Sequence, residues 1–318
     1  MTPRSGSSHP VLVTGGRGFV GKWMVRRLVE LGHPVVTYDR DPWPDEPGVR
    51  SIHGELVDVM YLMRVLLELE VDAVIHTAAI SSPDPGAKMP TATLVANVLG
   101  TANVLEASRA AGVRRVVSFS SSSIYGWHPE PVDEDTPPAP VSTYGVSKVA
   151  AEGLTKVFRE THGQDVLALR VCWVYGTGLR TPQEYVGQMI DAALGDRPFI
   201  LPLGAEHPLP LVAVADVAEA AILAAREESV GQYVYNVAGP DWKTLGEVAE
   251  QVRAAVPGAS IELGPGYLPL DELGDHRLGE VDINAARRDF GYEPSLDSTR
   301  GIQSYIEALR EQSQGASG

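Results

Sequence analysis

A single cysteine, Cys172, stands in a chain of 318 residues. That excludes a disulfide framework and fits a reducing cytoplasm. Basic residues are scarce: 26 Lys+Arg face 41 Asp+Glu, a net charge of −15. Nucleic acid and anionic membrane are therefore poor partners through bulk charge, although an anionic small ligand needs only a local pocket. No apolar run approaches the length of a membrane span. The histidines are scattered without metal-ligand spacing, so no metal is expected. No internal repeat is visible, and the opening MTPRSGSSHP lacks the hydrophobic core of a signal peptide. Residues 1–9 and 311–318 read as flexible tails. What is present is an ordinary globular composition, 44% hydrophobic and 21% charged, in a chain long enough for one large domain or two smaller ones.

Val- and Ile-rich runs alternate with helical stretches. PVLVTG, PVVTYDR, VDAVIHTAA, VRRVVSFSS and DVLALRVCWVYG read as strands. KWMVRRLVELG, TLVANVLGTANVLEASRAAG and STYGVSKVAAEGLTKVFRETHG read as helices, the first two stopped by Gly32 and Gly112. Strands separated by helices imply βαβ units, and near-continuous apolar runs suit strands buried on both faces. The expected fold is α/β, a doubly wound parallel (Rossmann) sheet over residues 10–176. Residues 208–237 return to it as a strand and a helix, and 177–207 with 238–310 form a smaller mixed α/β substrate lobe.

VLVTGGRGFVGK places four glycines between the first strand and the first helix. A dinucleotide site needs that order: a tight turn, close backbone approach to a pyrophosphate, and the free N–H groups of a helix start. Two phasings fit, Gly16-x-Gly18-x-x-Gly21 and Thr14-Gly15-x-x-Gly18-x-x-Gly21. Asp39 ends the second strand, where an acid binds a ribose 2′-hydroxyl and repels a 2′-phosphate, favouring NAD over NADP. Arg40 beside it works the other way. Further on, Tyr144 and Lys148 lie at i and i+4 on one helix face. A neighbouring ammonium lowers a phenol's pKa and equips it as a general base. The four serines of SFSSSSIYG are poor core material but suit the C-terminal edge of a parallel sheet, where sites form.

Together Thr14-Gly15-x-x-Gly18-x-x-Gly21, the serine run and Tyr144-x-x-x-Lys148 resemble the extended short-chain dehydrogenase/reductase family, and best its NAD-dependent epimerase/dehydratase branch. VIHTAA, NVLGTANVLEASRAAGVRRVVSFSS and DINAARRDFGYEPSLDSTRGIQSYI are similar to further segments of that branch. The resemblance implies that Ser121 hydrogen-bonds the reacting hydroxyl, that Tyr144 takes its proton, and that Lys148 tunes Tyr144 and holds the nicotinamide ribose. It places Gly15, Gly18, Phe19, Val20 and Gly21 at the cofactor phosphates, with Asp39 and Arg40 at the ribose. Glu55 and Leu56 fall at the adenine, and Ala78, Ala79 and Asn97 along the cofactor's path. Ser81, Ser122, Ser123 and Trp173 face a sugar-like substrate.

The implied activity is epimerisation of a sugar or nucleotide sugar through transient oxidation of a secondary alcohol. The alternatives are a net dehydrogenase or reductase of a sugar, sugar acid or other hydroxy compound, and a non-catalytic dinucleotide sensor. A homodimer is the expected assembly. The chain departs from the branch at Leu209, where sugar-nucleotide enzymes often carry an arginine for the substrate diphosphate. Weaker recognition of a diphosphate follows, unless Arg180 or Arg277 compensates. Cys172 and His76 read as core residues, and DEDTPP as a solvated loop.

Overall fold

A computed structural model describes residues 9–44, 46–81, 88–179, 184–269 and 277–315. The first unit runs β1 (Val11–Thr14), α1 (Phe19–Glu30), β2 (Val35–Asp39), β3 (Val49–His53), α2 (Val59–Glu68) and β4 (Ala73–His76). A short helix α3 (Pro90–Leu94) passes through a π-helical turn (Val95–Leu99) into α4 (Gly100–Ala111). Then come β5 (Arg115–Ser121), β6 (Trp127–His128), α5 (Thr143–His162), β7 (Val166–Val171) and β8 (Trp173–Tyr175). The rest comprises α6 (Tyr185–Leu194), β9 (Phe199–Leu201), β10 (Pro208–Leu209), β11 (Leu211–Ala213), α7 (Val214–Arg226), β12 (Val234–Val237) and β13 (Lys243–Thr244). It closes with α8 (Leu245–Ala255), β14 (Ile261–Leu263), β15 (Arg277–Leu278), α9 (Asn284–Phe290) and α10 (Ser298–Gly315).

Seven strands form one parallel sheet in the order β12-β7-β5-β4-β1-β2-β3. Its central strands are buried on both faces, as their near-continuous apolar runs suggest. Helices cover both sides: one core gathers α1 and α7 against the sheet, another α2 and α4. Strand order reverses between β1 and β4, which opens a crevice at their C-terminal ends, the usual ligand site of such sheets. A separate core gathers α6, α8 and α10. No described helix is long and apolar enough to cross a membrane.

The chain departs from its sequence reading in several places. DVLALRVCWVYG is two strands, broken at Cys172: β7 stays in the large sheet, while β8 leaves it to pair with β11. The returning segment therefore contributes β12 to the sheet and α7 to its face, but not the strand Leu211–Ala213. The β8–β11 ribbon lies between two cores. Val174 and Val212 pack into the sheet's core, while Trp173, Tyr175, Leu211 and Ala213 face the other. The long helix expected to end at Gly112 is two helices joined by the π-turn. The C-terminal tail is helical through Gly315, and residues 1–8 lie outside the described residues. The DEDTPP loop is tied down on one side, because the Asn236 N–H donates to the Glu134 carboxylate at 2.8 Å.

Candidate functional site

A cavity of about 730 Å³ runs along the crevice from the glycine turn to the edge of the second core. At one end Gly15 holds φ +70°, a left-handed conformation, and a side chain there would meet the Ala78 backbone at 2.7 Å. A Cβ on Gly21 would come within 2.2 Å of the Gly15 carbonyl oxygen, so α1 can start this close to β1 only without one. Gly18 begins the helix with no side-chain cap, leaving the leading N–H groups of α1 to a ligand. Gly15, Gly18, Phe19, Val20 and Gly21 all line the cavity, as do Asp39, Arg40, Glu55, Leu56, Ala78 and Ala79. The Asp39 carboxylate accepts from the backbone N–H groups of Arg17 (2.9 Å) and Asp41 (3.1 Å), which pins it beside the turn. A cradle of bare backbone, a free helix start and a fixed carboxylate fit a dinucleotide.

At the other end sit Ser121, Ser122, Ser123, Tyr144, Lys148 and Trp173, with Ser81 on the same wall. The serines follow directly from β5, where Ser121 caps a single 3₁₀ turn by accepting the Ser123 N–H at 3.1 Å. Helix α5 starts at a Ser142 cap whose hydroxyl accepts the Gly145 N–H at 3.0 Å. Its buried stripe, Tyr144, Ser147–Lys148, Ala151–Glu152 and Thr155, keeps the helical period and faces β5. Tyr144 and Lys148 therefore share one face, both buried. Burial raises the Tyr144 phenol above its ordinary range, and a hydrogen bond with Ser121 opposes that. Burial pushes Lys148 down to about 8, while the Glu152 carboxylate pulls the other way. The ammonium donates to the Phe119 carbonyl at 2.6 Å and lies 5.6 Å from the Tyr144 ring centroid.

Asn97 does not line the cavity. It lies buried in the π-turn, where its amide bonds the Ile80 backbone N–H (2.8 Å) and carbonyl (3.0 Å) and donates to Ser147 Oγ (2.9 Å). Ser147 in turn donates to the Tyr144 carbonyl at 2.6 Å. Asn97 thus ties the segment after β4 to the helix carrying Tyr144. Leu209 is also behind the wall, packed in the second core. Arg180 lies outside the described residues. Arg277 donates to the Leu268 carbonyl at 2.9 Å and stacks on Tyr267, 4.6 Å from its centroid. Leu268 lines the cavity, as do Leu179, Tyr185 and Pro269. None of these four was legible from a motif; Tyr185 and Leu268 belong to the second core, which has no repeating signature.

Cys172 is buried as expected but also touches the cavity, and burial pushes its thiol up to about 12. His76 is held between the hydroxyls of Thr14 (2.7 Å) and Thr101 (3.1 Å), and burial keeps it neutral, pushed down to about 3. Among the described residues no cluster of His, Cys, Asp and Glu could hold a metal ion.

Residues 11–238 match the NAD dependent epimerase/dehydratase family. The UDP-glucose 4-epimerase of Mycolicibacterium smegmatis is 31% identical, over 95% of this chain and 99% of that protein. The UDP-glucose 4-epimerase of Streptomyces lividans is 30% identical, over 91% and 92% respectively. Among solved structures, MoeE5 in complex with UDP-glucose and NAD is 32% identical, with a TM-score of 0.83 over 95% of this chain and 99% of that one. The UDP-glucose 4-epimerase of Thermus thermophilus in complex with NAD is 28% identical, also with a TM-score of 0.83. With its glycine turn, parallel sheet and both ends of the crevice in place, this chain belongs to the NAD dependent epimerase/dehydratase family.

Proposed function

We propose that the chain is an NAD-dependent epimerase that inverts a secondary alcohol of a nucleotide sugar, with Ser121, Tyr144 and Lys148 as its working side chains. The observation that carries this reading is one cavity joining the glycine turn to the buried Ser121, Tyr144 and Lys148. NAD supplies the hydride acceptor and donor when bound. Ser121, fixed by the turn that follows it, orients the reacting hydroxyl. Tyr144 takes the hydroxyl proton and later returns it, so no proton has to reach bulk water. Lys148, anchored on the Phe119 carbonyl, offsets the burial that disfavours the phenolate. The relatives named above carry UDP-glucose in their names, which supports a nucleotide-sugar substrate.

The test is incubation of the purified protein with UDP-glucose and, separately, UDP-galactose, without added NAD. Convergence on one equilibrium mixture from both sides is expected, and accumulation of reduced cofactor would favour a net dehydrogenase. A second reading concerns the diphosphate. The cations among the described lining residues are Arg17, Arg40 and Lys148, and Trp173, Leu179, Tyr185 and Leu268 give the substrate end apolar walls. Burying phosphate charge without a partner is costly, which favours a smaller sugar or hydroxy acid. UDP and dTDP set against free sugars and sugar acids separate the two, and UDP binding lost in Arg277→Ala decides for the diphosphate. We further propose a homodimer in the cytoplasm. The exposed Leu94 and Leu99 along the α3–α4 rod, and Val146 and Val157 on neighbouring α5, support the dimer.

A further inference from the structure

We propose that Glu152 is a positioning residue for the chemistry. Locked between Ser120 and Arg170 one helical turn beyond Lys148, its carboxylate keeps the Lys148 ammonium charged inside the cavity wall. The inference rests on the roles given above to Tyr144 and Lys148.

The geometry is a two-rung clamp between α5 and β5. Lys148 reaches the Phe119 carbonyl, and one turn later Glu152 Oε1 accepts the Ser120 hydroxyl at 2.5 Å. Ser121 is the next residue of the strand. Arg170, from β7, closes the other side, with Nε to Glu152 Oε1 at 3.0 Å and Nη2 to Oε2 at 2.9 Å. The remaining guanidinium nitrogen donates to Tyr125 Oη and the Glu134 carbonyl, both at 2.9 Å. Tyr125 donates to Asn236 Oδ1 at 2.7 Å. Both carboxylate oxygens and all three guanidinium nitrogens are thus hydrogen-bonded, and both side chains are buried.

A buried ion pair adds little net stability over well-packed apolar residues, because desolvation consumes most of the attraction. Its position carries the argument instead. Residues i and i+4 on a helix face each other, and an opposite charge at that range favours the charged form of an amine that burial disfavours. Among the described residues, the groups facing Lys148 leave Glu152 as the one anion. On its own helix there are Tyr144 and Ser147, and from β5 come Ser121 and the Phe119 carbonyl. From β4 comes His76, held neutral partly by Lys148 itself. Asn97 from the π-turn is neutral, and Arg170 from β7 is spent on Glu152. With Glu152 neutral, Lys148 loses its proton at lower pH, and the phenolate of Tyr144 loses its nearest cation.

The test pairs Glu152→Gln with Arg170→Gln, which removes both charges and leaves no unpaired ion. The readouts are the Lys148 titration, followed by NMR of the full chain labelled with [¹³Cε]lysine, and the pH profile of turnover with NAD present. The Lys148 signal is assigned by its loss in Lys148→Arg. The Lys148 midpoint is expected to fall by about 0.5–1 unit, and the alkaline limb of turnover to move down with it. Glu152→Asp keeps the charge but retracts it by one methylene, and is expected to shift both in the same direction by less. A folded variant of either kind with an unmoved midpoint and limb overturns the inference and leaves a purely structural ion pair. If the midpoint moves but the limb does not follow it, or if Tyr144→Phe retains full turnover, the catalytic roles fail while the coupling between Glu152 and Lys148 stands.

Discussion

Tyr144 carries one hydroxyl on which the proposed chemistry turns. Tyr144→Phe removes that group and little else, so turnover is expected to fall about 10²–10⁴-fold, the range for a lost general acid–base group. NAD released on denaturation should be unchanged in amount, which separates a chemical defect from a lost cofactor. Asp39, fixed by two backbone N–H groups, is expected to make NAD bind more tightly than NADP. Asp39→Ala should narrow that preference by roughly tenfold or more, about 1.4 kcal/mol, measured by titrating both cofactors into cofactor-free protein. Equal binding by the unaltered protein would give the decision to Arg40. Cys172, with its thiol pushed up to about 12 by burial, is almost wholly protonated at pH 8. Iodoacetamide should therefore leave it unmodified in the native protein and label it only on unfolding, as read by intact mass. At this scale the sequence was most informative where a residue breaks a pattern. Serines at a strand end and a lysine on a buried helix face stand out because a core would not choose them. Glu152 carries the same signal, a charge four residues further along that stripe, and extending the period by one turn would have found it. The hydrogen bonds of Asn97 to Ile80 and Ser147 were not legible, because no local pattern displays partners on other chain segments.

Helix α1 begins where the glycine turn ends, and its start depends on the absence of one methyl group. Gly21→Ala forces a carbon to within 2.2 Å of the Gly15 oxygen. Overpacking of this kind costs about 1–3 kcal/mol. Denaturant unfolding should report that loss, and calorimetry a weaker NAD, while Gly153→Ala, with open space around its Cβ position, should leave NAD affinity unchanged. Elements buried on both faces, β1, β4, β5 and β7, were legible as apolar runs. β3 was not, because it closes the edge of the sheet and three of its five residues are exposed, leaving no unbroken apolar run to read. The π-turn at Val95–Leu99 was hidden for a different reason. Nothing in the run Val95–Leu99 marks it off from ordinary helix, and the buried Asn97 at its centre is held by partners on other segments.

Among the described residues, an apolar stripe lies exposed along α3–α4 and α5. If two copies cover it, Leu99→Asp with Val146→Asp should halve the mass seen by light scattering, from twice 34.1 kDa to 34.1 kDa. An unaltered protein already at 34.1 kDa would remove the dimer. The site at the C-terminal edge of the parallel sheet was legible, whereas the second lobe was expected only in outline, over residues 177–207 and 238–310. Its strands are two or three residues long and pair between distant segments, so nothing local records them. The β8–β11 ribbon bears on how such enzymes could be re-engineered. Its residues alternate between two cores, so the strand that walls the catalytic domain is also the strand that walls the lobe. A chimera built by joining one enzyme's front half to another's back half would cut through that shared wall. A lobe with a new specificity would have to be transplanted together with both strands of the ribbon, as several grafts made at once.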